Sequence, residues 1–381
     1  MKKIAVFTGA RSEYGLLKPV ILELMKTDFK FELIVSGGHL DKSQGYTINE
    51  IIKDGILITA EIDTTVDDLG FHAINTSNAK LQIGFSEYLQ KNRPDLVLVL
   101  GDRSELISVV SSCLFASIPV AHISGGEVTE GATDNQVRHA VTKMAHIHFP
   151  ATEIYKQNIL RMGEEEWRIC VSGEPGLDDV LSTILPSKEE FYERFSIPKD
   201  KELVIATFHS ETIGQTINKQ FLKELIEALE INFNSHFLFT AANLDVGGEE
   251  INQTLIELSQ KHENCSFVAS LGKVNYYAAQ KYAIAMLGNS SSGIVEAMSF
   301  YLPVVNVGQR QEGRLRNLNC IDVPVNVSEI VEALKKTTNP DFKNNLENKP
   351  NIYGDGNGSK RIVEFLKGID WNALIHKKST F

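Results

Sequence analysis

Carboxylates, histidines and an arginine crowd into one part of this chain. Asp102 follows the apolar run Leu96–Leu100, in Gly101-Asp102-Arg103. Glu127, Asp134 and Arg138 follow a second apolar run, Ile118–Ile123, with His122, His139 and His146 close by. A buried parallel strand that ends in glycine and carboxylates is where an open α/β sheet places its chemistry. Carboxylates gathered in an apolar crevice adopt different protonation states, so one takes a proton while another gives one. Asp102, Glu127 and Asp134 are the candidate acids and bases, and the three histidines are expected to converge with them. Each residue also has a plain reading. Asp102 suits a turn, Asp134 an N-cap, and His146 and His148, alternating as in a strand, a structural pair.

A second group of residues suits a phosphate. Gly288-Asn-Ser-Ser-Ser-Gly293-Ile-Val-Glu296 follows the run Ala283–Leu287 and opens a helix. Free N–H groups and hydroxyls at a helix N-terminus fit a diphosphate. Ser290, Ser291, Ser292 and Gly293 are its candidate contacts, and Glu296, one turn in, is placed to accept ribose hydroxyls. His209, Asn243 and Asp245 fall at other expected strand ends in the same half. Arg11, in Gly9-Ala-Arg11-Ser-Glu-Tyr14, Arg103 and Arg138 are cations at strand ends of the first half, suited to a phosphate or carboxylate. The first turn is not Gly-x-Gly-x-x-Gly, so it carries no dinucleotide fingerprint.

The pattern of elements must bring these groups to strand ends. Apolar runs alternate with helical periodicity from Lys3–Thr8 onward, which predicts doubly wound parallel sheets. At 381 residues, two domains are expected. The first spans 1–175, the second 176–364, and a C-terminal helix at 365–381 is expected to pack back on the first. The linker is placed at Ser172–Pro198, which holds Pro175, Pro186 and Pro198 and the charged Lys188–Arg194. Two tandem domains imply a cleft between them.

Composition narrows the function. With 38 Lys and Arg against 49 Asp and Glu the net charge is −11, which argues against nucleic-acid binding. Cys113, Cys170, Cys265 and Cys320 are far apart and suggest neither a zinc site nor a disulfide framework. No stretch has the length of a transmembrane helix, and the apolar start Ile4–Phe7 is too short for a signal peptide. A cytoplasmic protein without membrane association is expected.

These motifs together resemble those of the hydrolysing UDP-N-acetylglucosamine 2-epimerases, including the bacterial sialic- and legionaminic-acid pathway enzymes. The resemblance runs through Thr8-Gly-Ala-Arg11-Ser-Glu-Tyr14, Gly38-His39-Leu40, Gly45-Tyr-Thr47, Gly101-Asp102-Arg103, Gly125-Gly-Glu127, Asp134, Arg138-His139-Ala-Val-Thr-Lys143, Phe208-His209, Asn289-Ser-Ser-Ser-Gly293 and Gln309-Arg310. It implies a GT-B-like fold of two Rossmann-like domains with the active site in the interdomain cleft, and a reaction needing neither metal nor NAD. A base takes the C2 proton, UDP leaves anti to it, and water adds to the resulting glucal. Asp102 and Asp134 match the family's catalytic carboxylates; Ser290, Ser291, Glu296 and Arg310 match its UDP contacts. A homodimer or homotetramer is implied.

Two departures stand out. Many relatives have a glutamate two residues after the histidine that matches His122, where this chain has Ser124. Either Glu127 supplies that carboxylate or the acid and base roles are divided differently. Relatives also often carry a lysine at the position of Leu16. The Gln-His-Arg effector motif of the non-hydrolysing enzymes corresponds to Gly38-His39-Leu40, so effector binding of that type is not expected. Two other readings use the same motifs: a GT-B glycosyltransferase, which would not need the Asp102/Asp134 pair, and a non-catalytic nucleotide-sugar-binding protein.

Overall fold

The computed structural model describes residues 1–381 except 67–69, 130–132, 211–223, 225, 228–234, 243–247, 338 and 381. The chain divides into two compact units, Met1–Asp179 with Tyr353–Phe381, and Val180–Ile352.

The first unit is built on six parallel strands: β1 (Lys3–Thr8), β2 (Lys30–Ser36), β3 (Ala60–Ile62), β4 (Leu96–Leu100), β5 (Val120–Ile123) and β6 (Ile147–Phe149). Their order is β3-β2-β1-β4-β5-β6. Its helices are α1 (Arg11–Met25), α2 (Ile48–Lys53), α3 (Gly70–Asn92), α4 (Glu105–Phe115), α5 (Thr133–Met144), α6 (Glu153–Arg161) and the first part of α7 (Gly176–Ser182), which runs across the boundary. The period of two in a strand sends Ile4 and Val6 to one face and Ala5 and Phe7 to the other. The first face packs on Leu17, Val20 and Ile21 of α1 and on the C-terminal Ile362 and Leu366. The second packs on Leu81, Phe85 and Leu89 of α3 and Val109 and Val110 of α4. Burial on both faces explains why β4 is an unbroken apolar run.

The second unit repeats the plan with α8 (Lys188–Arg194), β7 (Glu202–Thr207), β8 (Ser235–Thr240), α9 (Gly248–Lys261), β9 (Cys265–Val268), α10 (Gly272–Tyr282), β10 (Ala285–Gly288), α11 (Ser291–Val295), β11 (Val304–Val307), β12 (Cys320–Val323), α12 (Val327–Thr337) and α13 (Pro340–Asn344). The order is β12-β11-β10-β7-β8-β9, again parallel. Val204, Ala206, Phe237 and Phe239 face α9 and α12, while Leu203, Ile205 and Leu238 face α8 and α10. The last helix, α14 (Gly358–Gly368), belongs to the first unit.

Several segments add to or differ from the sequence expectation. The stretch 172–198 contains the boundary between the two units, at Asp179/Val180, and it also holds α7 and α8, the latter begun by a reciprocal Ser187–Glu190 capping box. The chain rejoins the first unit at Tyr353, ahead of residue 365, because Gly173 and Gly354 let two backbones approach and Asp178 accepts from the amides of Gly358 and Ser359 at 2.8 Å each. The short edge strand β12 and helix α13 are additions to the expected pattern. The apolar periodicity of Ile217–Ile231 predicts a helix there, and this stretch falls largely outside the described residues. Among the described residues no helix is long and apolar enough to cross a membrane.

Candidate active site

In each sheet the strand order reverses once, between β1 and β4 and between β7 and β10. The carboxyl ends of strands at such a reversal form a crevice. Asp102, which follows β4, and His209 and Asn289–Gly293, which follow β7 and β10, sit at these ends.

In the first unit the centre is Arg138, on α5 and buried. Its Nη2 pairs with Asp102, on the turn after β4. Its Nη1 donates to the Ser124 carbonyl at 2.6 Å and lies 3.5 Å from Glu127 Oε2. Glu127 is buried with it and Asp102 half-buried. These carboxylates hold the guanidinium firmly charged against the cost of burial. His122 lies behind the site. Its Nε2 is 2.7 Å from the Gly101 carbonyl and its Nδ1 3.1 Å from Thr142 Oγ1. Burial, opposed by the Gly101 bond and reinforced by Arg138, lowers its pKa to about 3. It is a neutral brace for the turn that carries Asp102.

The other expected members of this group are dispersed. Asp134 is exposed in the first turn of α5, four residues before Arg138. Arg11 opens α1 and is exposed, paired with Glu50 at 2.9 Å. Arg103 pairs with Glu105 at 2.6 Å. His146 and His148 do not join the site. His146 Nδ1 accepts from the Val120 amide at 3.2 Å, and His148 Nε2 lies 3.0 Å from the buried Glu164. Lys143 and Lys377 also reach Glu164, so this pair is structural.

The turn after β1 holds a feature that the sequence reading missed. Glu13 accepts from the amides of Gly9 (2.8 Å) and Ala10 (3.1 Å), so its carboxyl caps the start of α1. Burial and the nearby Glu105 raise its pKa to about 8, against the opposing pull of Arg103 and the two amides. Arg103 and Glu105 also line a cavity of about 400 Å³ with Ser36, Gly37, Thr64 and Asn78.

In the second unit Asn289 ties the strand reversal together. Its Oδ1 accepts from the His209 amide at 2.7 Å and its Nδ2 donates to the His209 carbonyl at 2.9 Å. Its own carbonyl accepts from Arg310 Nη1 (3.2 Å) and Gln311 Nε2 (2.9 Å). Gly288, at φ 143°, passes against the Thr207 carbonyl where a Cβ would overlap it. Ser290 caps α11, and its Oγ lies 3.0 Å from Ser292 Oγ, which in turn is 2.5 Å from Tyr276 Oη. Gly293 packs on Val304. Glu296 accepts from Gln280 Nε2 at 3.0 Å, and burial raises its pKa. His209, Ser290, Ser291, Ser292, Gly293, Glu296 and Arg310 thus belong to one strand-end assembly. Asn243 and Asp245 lie outside the described residues. Tyr276 and Gln280 were missed because they sit mid-helix on α10, where nothing distinguishes them from core positions.

Two six-stranded parallel sheets of this order, one with a Ser-rich helix start and one with carboxylates at the strand ends, define a GT-B-like protein. Its fold is similar to that of UDP-GlcNAc 2-epimerase from Neisseria meningitidis bound to UDP-GlcNAc, with a TM-score of 0.82 over 96% of this chain and 100% of that one, at 20% identity. The family model for UDP-N-acetylglucosamine 2-epimerase matches residues 23–367. The chain is 35% identical over 379 residues to GDP/UDP-N,N'-diacetylbacillosamine 2-epimerase (hydrolyzing) of Campylobacter jejuni, covering 99% of this chain and 98% of that one. It is 35% identical over 381 residues to UDP-N,N'-diacetylbacillosamine 2-epimerase (hydrolyzing) of Legionella pneumophila, with 99% of each covered. The chain therefore belongs to the UDP-N-acetylglucosamine 2-epimerase family, on its hydrolysing side.

Proposed function

We propose that this enzyme converts UDP-2,4-diacetamido-2,4,6-trideoxyglucose (UDP-N,N'-diacetylbacillosamine) to UDP and the free 2-epimeric sugar, in nonulosonic acid biosynthesis. Full-length 35% identity to two enzymes named for that substrate carries the choice. UDP-GlcNAc is the second reading, favoured by the family description.

The residues support a division of labour. In the second unit the α11 N-terminus, Ser290–Ser292, Gly293, Arg310 and His209 hold the diphosphate, and Glu296 the ribose hydroxyls. Asn243 and Asp245 join them as sequence-based candidates. In the first unit Asp102, Glu127 and Asp134 handle protons, Arg138 orders the first two, and Arg11 and Arg103 supply positive charge near the substrate. One carboxylate removes the C2 proton. The C–H electron pair becomes the C1–C2 double bond as the C1–O bond breaks and UDP departs. Water then adds its oxygen to C1, and a proton returns to C2 on the opposite face. Carboxylates in environments as different as buried Glu127 and half-exposed Asp102 suit opposite roles.

Four free cysteines, two of them buried, support a reducing, cytoplasmic setting. Exposed Phe71 and Ile83 on α3 and Phe115 on α4 support association into a homodimer or homotetramer. Incubating the protein with each UDP-sugar and no acceptor tests the substrate assignment. Faster release of UDP and free sugar from the diacetamido substrate supports it; preference for UDP-GlcNAc reverses it. A UDP-sugar glycosyltransferase would need an acceptor, and a binding protein would turn over neither.

A further inference from the structure

Two side chains of α10 reach the Ser-rich turn of the second unit in step. Tyr276 Oη lies 2.5 Å from Ser292 Oγ, and Gln280 Nε2 donates to Glu296 Oε2 at 3.0 Å. Tyr276 and Gln280 are four residues apart, one turn on the same face of α10. Ser292 and Glu296 have the same spacing along α11 and its C-cap. The two contacts are therefore parallel rungs between the helices. One holds the serine turn, and the other holds the carboxylate read above as the ribose contact.

The second rung comes at a cost. Gln280 is fully buried, and its Oε1, also buried, has no hydrogen-bond partner among the described residues. An unpaired buried amide oxygen is destabilising. Methionine or leucine would occupy the same position on α10 without that cost, as Tyr277, Ala278 and Ala279 beside it are ordinary buried positions. What the amide supplies and an apolar side chain cannot is the bond to Glu296. Glu296 is half-buried, and the bond fixes the plane in which its carboxylate accepts. A carboxylate already held in one plane loses less freedom when hydroxyls bind to it.

We propose that Gln280 is a positioning residue for ribose recognition: it aims the Glu296 carboxylate at the ribose hydroxyls, so that the protein selects a ribonucleotide over its 2′-deoxy counterpart. The inference rests on the reading of Glu296 as the ribose contact.

Calorimetric titration of wild type, Gln280→Met and Gln280→Leu with UDP and with 2′-deoxy-UDP tests it. Wild type should bind UDP roughly tenfold or more tightly than 2′-deoxy-UDP. In each variant UDP should bind roughly fivefold or more weakly than in wild type, and the preference should fall to about threefold or less. The preference is a ratio, so a general loosening of the pocket, which weakens both nucleotides alike, leaves it unchanged. The Tm of the variants should hold or rise, because the unpaired oxygen is gone. Variants that fold and keep the wild-type preference, or failure of both variants to fold, overturn the inference alone. A wild type that binds the two nucleotides equally overturns the reading of Glu296, and this inference with it.

Discussion

The Asn289 carboxamide bonds both backbone groups of His209, accepting from the amide at 2.7 Å and donating to the carbonyl at 2.9 Å. One side chain thus fixes the ends of β7 and β10 relative to each other, where the strand order reverses. Its own carbonyl anchors Arg310. Replacing Asn289 with Ala removes both of these bonds to His209 and loosens the phosphate-binding end. UDP affinity, measured by calorimetry, should fall at least tenfold, about 1.4 kcal/mol. Asn289→Asp, which keeps the acceptor and loses the donor, should also weaken UDP.

Arg138 and Asp102 form the matching device in the first unit, and the two partners should behave differently when replaced. Arg138→Met strips Glu127 and Asp102 of their cation. Breaking a buried pair in this way costs about 3–5 kcal/mol, read by urea unfolding. Asp102→Asn leaves Glu127 and the Ser124 carbonyl on the guanidinium, so stability should change little. Turnover should nonetheless fall by roughly 100-fold or more. Equal stability loss in both variants would contradict the assignment of Asp102 as a working group.

Glu13 gives the stability a slope on the neutral side. Its pKa, raised from 4.5 to about 8 by burial and Glu105, means that the folded state holds a proton that the unfolded chain releases. This contribution is largest below pH 4.5 and is lost as pH rises from 4.5 to 8. Glu13→Gln keeps an acceptor for the Gly9 and Ala10 amides without the charge. The Tm of the variant relative to wild type should rise steadily over that window and level off above it. His122 acts in the opposite direction. Its pKa is lowered from 6.5 to about 3, so its contribution is intact above 6.5 and lost as pH falls toward 3. A flat Tm difference between Glu13→Gln and wild type would show Glu13 ionised in the folded protein.

Gly288 allows no side chain. At φ 143° it touches the Thr207 carbonyl on the neighbouring strand. Gly288→Ala combines backbone strain with a backbone clash and should cost at least about 3 kcal/mol. Gly15, which has open space around the position of a Cβ, serves as the control, and Gly15→Ala on α1 should be neutral or stabilising.

The parts of the site legible in the sequence are those that follow parallel strands buried on both faces. Leu96–Leu100 and Ala285–Gly288 are fully buried, so each reads as an apolar run, and the residues after it stand out. Glu174, buried with its Oε2 3.0 Å from Ser124 Oγ, follows only an isolated bridge, and Pro175 beside it resembles the start of a linker, so nothing marked it as a strand end. Arg11 shows the limit of position alone. It stands one turn after β1 as expected, yet its side chain pairs with Glu50 on α2. Nothing in the sequence reveals which way a side chain at a helix start turns. The histidines divided for a similar reason: the same type serves as a buried brace at His122 and as a hydrogen-bond partner of Glu164 at His148.

Turnover in D2O without an acceptor tests the central claim most directly. The reading of these strand ends as a proton-transfer site and a UDP site requires that C2 lose its proton and regain one from solvent. UDP and a free 2-epimeric sugar carrying deuterium at C2 are the predicted products. Release of UDP with the original configuration and hydrogen at C2, or no reaction until an acceptor is added, would contradict it.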